Sequence, residues 1–268
     1  MKELVVGLLQ LPTLGLNTTR LEFYLKKAKE RNCKLLLFGE YVLNPFFKEL
    51  ESFPKSMIKE QTESNIDLLK RFSKEFDITL VAPIVEVKGS KYYKKIVKIS
   101  PKSTSYYTQQ ILINYSHWSE EKFFNNTIKS LKEPMVFTID GFKIAVMGGF
   151  ELHFDKMWES ILRKRVDLVL LPTSSTFESK RRWRELIKMR AFLNNCYILR
   201  ANRVGDYRDE SHRWHFYGDS LFVTPDGEIE MKLEDRESML IEPITKDELA
   251  DARRGWGFSA TLKKRGEL

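Results

Sequence analysis

Hydrophobic and polar positions along the chain fall into alternating short apolar runs and longer amphipathic stretches, which predicts strands interleaved with helices. The apolar run Leu4 to Gln10 reads as a strand. Asn17 or Thr18 then caps a helix that keeps Leu21, Leu25 and Ala28 on one face. Leu35 to Phe38 is a buried strand closed by Gly39 and Glu40, followed by a helix from about Ser64 to Phe76 and a strand from Thr79 to Val85. Between Lys91 and Ile113, two segments rich in Tyr, Ile, Val and Thr flank Ser100-Pro101-Lys102-Ser103, which predicts an antiparallel hairpin and a mixed sheet.

The second half repeats this grammar. Val136 to Ile139 and Lys143 to Met147 flank the turn Asp140-Gly141, and Gly148-Gly149 ends the second strand. A helix from about Phe154 to Arg165, a strand Leu168 to Leu171, a helix Ser179 to Asn194 and a strand Tyr197 to Asn202 follow. Asp219 to Val223 and Ile229 to Leu233 then bracket Pro225-Asp226-Gly227. No stretch rich in Pro, Gly or Ser interrupts the series, so residues 1–268 read as one domain, with an extension from about residue 246 that leaves the core. Three polar sites stand just after buried strands: Glu40, the pair Glu151 and His153, and Thr173 with Ser174. Pockets of α/β folds form beyond such strand ends, so these sites are expected to meet in one cleft.

Composition narrows the class. The chain has 268 residues and is 42% hydrophobic, enough for one large α/β core. It shows no signal-like start and no apolar run of roughly 20 residues, so a cytoplasmic protein with no membrane span is expected. Cys33 and Cys196 read as buried thiols rather than a disulfide or zinc framework. The net charge of +8 favours anionic partners only in a general way. The densest basic run, Lys180 to Arg184, opens a helix whose apolar stripe is Trp183, Leu186, Ile187 and Phe192, which points to a solvated or interface helix and away from nucleic acid. His117 and His153 do not have metal-ligand spacing with the nearby acids, and His212 and His215 read as exposed, so no metal and no cofactor are expected.

Six strings in order, LLLFGEYVL at Glu40, HWSEEKFF at Glu120, GGFELHF at Gly149, LLPTSS at Pro172, RAFLNNCYILRANRVG from Arg190 and GDSLFVTPDGEI from Gly218, resemble the nitrilase superfamily of carbon-nitrogen hydrolases over nearly the whole chain. The resemblance implies a four-layer α-β-β-α sandwich with mixed sheets. It also implies a site in which a glutamate deprotonates a cysteine, a lysine stabilises the oxyanion and a second glutamate supports them.

Carried over position by position, the base is Glu40 and the second acid Glu120. The lysine position falls on Gln109, or on Gln110 if the register slips, and the nucleophile position falls on Gly149. The same resemblance puts Tyr41, Trp118 and Phe150 in the ligand-binding wall, to which the polar strand-end sites Glu151, Thr173 and Ser174 are added. A hydrogen atom cannot attack a carbonyl and glutamine carries no charge, so the expectation is a pseudoenzyme with a ligand-binding or protein-interaction role. Its pocket is expected to be acidic, to lack a cation and to suit an amine-like ligand. The alternative is a hydrolase of amide, carbamoyl or nitrile groups that uses a displaced nucleophile or metal-bound water. Cys196 is a poor substitute nucleophile on this reading, and a hydroxyl at Thr173, Ser174 or Ser175 needs an activating base. The resemblance further implies a homodimer through the Ser179 to Asn194 helix. The pair Gly149→Cys with Gln109→Lys tests both alignments at once, since gained activity would fix them.

Overall fold

The computed structural model describes residues 2–15, 18–127, 130–210 and 212–267. The order of elements is β1 (Glu3–Gln10), α1 (Thr19–Glu30), β2 (Leu35–Phe38), α2 (Phe47–Leu50), α3 (Lys55–Phe76), β3 (Thr79–Lys88), β4 (Lys91–Ser100) and β5 (Ser103–Thr108). The short pair β6 (Asn114–Tyr115) and β7 (Trp118–Ser119) leads to α4 (Glu120–Phe123), β8 (Met135–Ile139) and β9 (Phe142–Val146). A 3-10 turn, Gly149–His153, precedes α5 (Asp155–Lys164), β10 (Leu168–Thr173), α6 (Lys180–Asn194) and β11 (Tyr197–Asn202). The chain closes with β12 (Val204–Arg208), β13 (Arg213–Tyr217), β14 (Leu221–Val223), β15 (Ile229–Lys232), β16 (Ser238–Thr245), α7 (Lys246–Trp256) and α8 (Phe258–Lys264).

Two six-stranded mixed sheets, ordered β16-β1-β2-β3-β4-β5 and β15-β14-β11-β10-β9-β8, form the body. One apolar cluster is shared by both: Leu4, Val6, Leu8, Leu35 and Leu37 of the first sheet pack with Ile144, Val146, Leu168, Leu170, Tyr197 and Leu199 of the second. The alternate residues of these strands pack outward. Leu36, Phe38 and Leu80 meet Leu21, Leu25, Leu69 and Phe72 of α1 and α3, and Val169, Leu171 and Ile198 meet Trp158, Ile161, Ile187 and Ala191 of α5 and α6. A strand buried on both faces reads as a continuous apolar run, which is why β2 is apolar throughout and β10 is apolar as far as Pro172. The result is the expected α-β-β-α layering.

Several boundaries shift from those the pattern predicts. Helix α3 begins at Lys55 behind Pro54, nine residues before Ser64; its first turns are mostly polar, with Met57 exposed and only Ile58 and Thr62 buried. Thr18 occupies the cap position of α1 without a side-chain hydrogen bond, and Asn17 lies outside the described residues. Helix α7, where the departure from the core is expected to begin, stays on it, and α8 buries no residue. Leu249 of α7 joins the inter-sheet cluster, and Arg253 Nη1 donates to Asp167 Oδ1 at 3.0 Å. Among the described residues no helix is long and apolar enough to cross a membrane.

Candidate functional site

The site begins where the two sheets touch. A Cβ on Gly39 would stand 3.0 Å from Arg203 N and from the carbonyl carbon of Asn202, so only glycine lets β2 end this close to β11. The next residue, Glu40, donates its backbone N–H to Thr173 O at 3.1 Å, which ties the end of β2 to the end of β10. Tyr41 follows with φ +57°, a left-handed conformation that is costly for a bulky residue. It is held there by Thr13 Oγ1, which donates to Tyr41 O at 2.9 Å, and its own hydroxyl donates to Glu120 Oε1 at 2.8 Å.

The carboxylates of Glu40 and Glu120 are bridged by a lysine. Lys94 Nζ lies 3.0 Å from Glu40 Oε1 and 2.6 Å from Glu120 Oε1, with Lys94 3% and Glu120 0% exposed. This corrects the expectation of a pocket without a cation. The lysine comes from β4, one strand away from the aligned position. β4 and β5 pair antiparallel with Lys95 opposite Thr108, and Gln109 N–H donates to Lys94 O at 3.2 Å, so Lys94 is the cross-strand neighbour of Gln109. Lys94 shares its strand face with Ile96, which lies in the inter-sheet cluster, so the ammonium points into the protein. Burial raises the pKa of the Glu40 carboxyl, Lys94 pulls it back and Glu120 pushes it up again, leaving it above the ordinary carboxylate value. Burial works to lower the Lys94 value, but Glu120 and Glu40 together outweigh it and leave it raised.

Gln109 does not enter this cluster. Its side chain lies against Gly148, where an added Cβ would stand 2.5 Å from Gln109 Cδ, and its Nε2 donates to Ile111 O at 3.0 Å. Gln110 donates to the Tyr107 hydroxyl and to Lys132 O. Glu151 is also absent from the cluster. It is fully buried and accepts N–H bonds from Gln110 at 2.5 Å and Gly148 at 2.6 Å, and the Tyr107 hydroxyl at 2.9 Å. Burial pushes its carboxyl up to about 7 against those hydrogen bonds, which favour the charged form. Its work is to fix the turn after β9. His153 turns away from it, with Nδ1 2.9 Å from Phe150 O.

At Gly149 the side-chain space is taken. An added Cβ would stand 2.7 Å from Thr173 Cγ2 and 2.8 Å from Pro172 O, the second a backbone atom that cannot move aside cheaply. Of the two positions a Cys–Lys pair would need, Gly149 is therefore closed and Gln109 faces elsewhere.

Of the hydroxyls after β10, Thr173 Oγ1 donates to Asn202 Oδ1 at 3.0 Å and accepts from Arg200 Nε at 3.1 Å. Ser175 Oγ accepts from Arg200 Nη2 at 2.8 Å. Ser174 differs, since its Oγ donates to Glu40 Oε2 at 2.9 Å, the oxygen that Lys94 leaves free. Ser174 also lines a cavity of about 360 Å3 walled by Tyr115, His117, Trp118, Phe150, His153, Phe177, Trp183 and Leu186, with Arg182 at α6 and no carboxylate among its described lining residues. Glu40 and Lys94 line a separate recess of about 10 Å3. An open hollow of about 680 Å3 runs along α3 beside Glu60 and Asp67, and none of the expected site residues lines it. Cys33 and Cys196 are buried, and desolvation pushes both thiols up to about 12, which leaves neither as a nucleophile.

The chain is an α/β two-sheet sandwich with a buried Glu–Lys–Glu cluster where the sheets meet. The carbon-nitrogen hydrolase family profile matches residues 6–254, and the chain belongs to that family. Among characterised relatives, N-carbamoylputrescine amidase of Arabidopsis thaliana is 22% identical over 96% of this chain and 91% of its own, and an omega-amidase of Danio rerio is 24% identical over 94% and 90%. Among solved structures, a carbon-nitrogen hydrolase from Helicobacter pylori G27 has 21% identity and a TM-score of 0.82, covering 96% of this chain and 94% of that one. An amidase from Nesterenkonia sp. AN1 in complex with butyramide has 19% identity and a TM-score of 0.75, covering 94% and 97%.

Proposed function

We propose that this chain is a carbon-nitrogen hydrolase homologue that no longer runs cysteine-based amide hydrolysis and acts by binding a small ligand in the aromatic cavity beside Ser174. The observation that carries the reading is Gly149: the nucleophile position has no side chain, and Thr173 and Pro172 O fill the space a side chain would need. Removing the nucleophile of a catalytic unit costs on the order of a millionfold in rate.

The cavity supports the ligand class. Its lining is aromatic and hydroxyl-bearing, with the Arg182 guanidinium and no carboxylate among the described residues, so it suits a neutral or anionic planar molecule. The Trp118 indole Nε1–H and the Thr176 hydroxyl belong to lining residues and are buried without a hydrogen-bond partner among the described residues. A buried donor left unmade costs about 1–3 kcal/mol, which a ligand acceptor would relieve. Amine-like ligands lose their rationale, because Lys94 already occupies the place between the carboxylates that would hold an ammonium.

Trp118 and Trp183 sit in the wall, so binding is read by quenching of intrinsic fluorescence. Benzoate and benzamide are expected to quench saturably and putrescine to leave the spectrum unchanged. Quenching by putrescine alone overturns the assigned ligand class. The proposal retains self-association through α6, whose Met189 and Leu193 are exposed; sedimentation as a monomer at micromolar concentration would remove that part.

A further inference from the structure

We propose that Ser174, activated by Glu40, is a displaced nucleophile for acyl transfer from small activated esters bound in the aromatic cavity. The inference rests on the ligand-pocket reading above and adds chemistry to it. Three observations carry it. Ser174 Oγ donates directly to Glu40 Oε2 at 2.9 Å, the contact through which a carboxylate takes a hydroxyl proton. The other oxygen of Glu40 is held by Lys94 at 3.0 Å, so the base is locked in place by a positioning residue. Ser174 stands in the wall of the only one of the two adjoining cavities large enough for a ligand, about 360 Å3 against about 10 Å3, while Thr173 and Ser175 are engaged by Arg200.

In the forward step Ser174 Oγ bonds to the acyl carbon as its proton passes to Glu40 Oε2. The acyl C–O bond of the ester then breaks, and the departing alkoxide or phenolate recovers a proton from Glu40. Water attacks the acyl-serine with Glu40 again taking the proton, which releases a carboxylic acid and regenerates the hydroxyl. Lys94 is spent on two carboxylates and is not free to stabilise the oxyanion, which favours acyl groups with good leaving groups. The walls of Tyr115, Trp118, Phe150, Phe177 and Trp183 fit an aryl group, which makes aryl esters the substrate class.

The test uses the full chain with phenyl acetate and p-nitrophenyl acetate, following phenol release, acid-quenched intact mass and peptide mapping. Saturable release that rises with pH as Glu40 loses its proton and then levels, with one acetyl group mapped to Ser174, is expected. Ser174→Ala and Glu40→Gln, with circular dichroism matching the wild-type chain, are each expected to lower the rate by at least about tenfold. An unchanged rate in Ser174→Ala, or acetyl found only on lysines, overturns the inference. Benzoate quenching that persists in that case leaves the ligand reading standing, whereas no benzoate binding by the wild-type chain removes the ligand reading itself.

Discussion

Lys94→Met isolates the charge at the centre of the site. The substitution keeps a flexible side chain of similar reach but removes the ammonium from between Glu40 and Glu120, which are 5% and 0% exposed. Breaking a buried ion pair from one side typically costs about 3–5 kcal/mol, because the surviving charge is left without a partner, and here two carboxylates are left facing each other. For a chain of this size about 1 kcal/mol shifts Tm by roughly 2–4 °C, so a fall of about 6–20 °C is expected near pH 8. The sign with pH follows from Glu40, whose carboxyl burial already holds above its ordinary value. Without the lysine its folded-state pKa rises further above the unfolded value, so the folded state holds a proton that the unfolded chain releases. Its contribution is intact below the unfolded pKa and is lost as pH rises through the folded one. The deficit of Lys94→Met should therefore shrink toward pH 4–5 and widen toward pH 8, and Glu120→Gln added to it should recover part of the loss. Thermal melts by circular dichroism across that range measure it. A variant as stable as wild type at both ends of the range would refute the claim that Lys94 has taken over the cation's place, as would a comparable loss from Gln109→Ala.

Three further outcomes follow from the same geometry. Glu151→Gln is expected to lower stability by about 1–3 kcal/mol in urea unfolding, because its new amide must face the N–H groups of Gln110 or Gly148; an unchanged midpoint would remove the turn-fixing role. Gly149→Cys is expected to destabilise the fold by about 1–3 kcal/mol through overpacking on Thr173 and Pro172, and to gain no amide hydrolysis even with Gln109→Lys; ammonia release by that pair would contradict the geometry. Native protein at pH 8 is expected to resist iodoacetamide at Cys33 and Cys196, since both thiols are buried and pushed up to about 12, with labelling only after denaturation; rapid native labelling of Cys196 would reopen it as a nucleophile.

The layering, the burial of Glu40 and Glu120 beside one another and the tight turn at Gly149 were readable because each depends on local order in the chain. Glu40 follows an apolar strand, Glu120 opens a short helix, and Gly149 ends a hairpin. Lys94 was not readable in the same way, because its role depends on the register of β4 against β5, which brings it opposite Gln109. A signal existed: Lys94 and Ile96 alternate onto one face of a strand, and a lysine on an inward face requires a buried acid to meet it. The separation of Ser174 from its neighbours was also hidden, since Arg200, twenty-six positions beyond Ser174, decides which hydroxyls are engaged. Glu151 misled for the converse reason. It stands beside the nucleophile position in sequence but turns into the backbone of Gln110 and Gly148.

The central claim is tested most directly by ammonia release from purified protein given butyramide, acrylamide and N-carbamoylputrescine, with Glu40→Gln as the control. The account predicts release no faster than the buffer blank for wild type and control alike. Ammonia released by wild type and abolished in Glu40→Gln would contradict it.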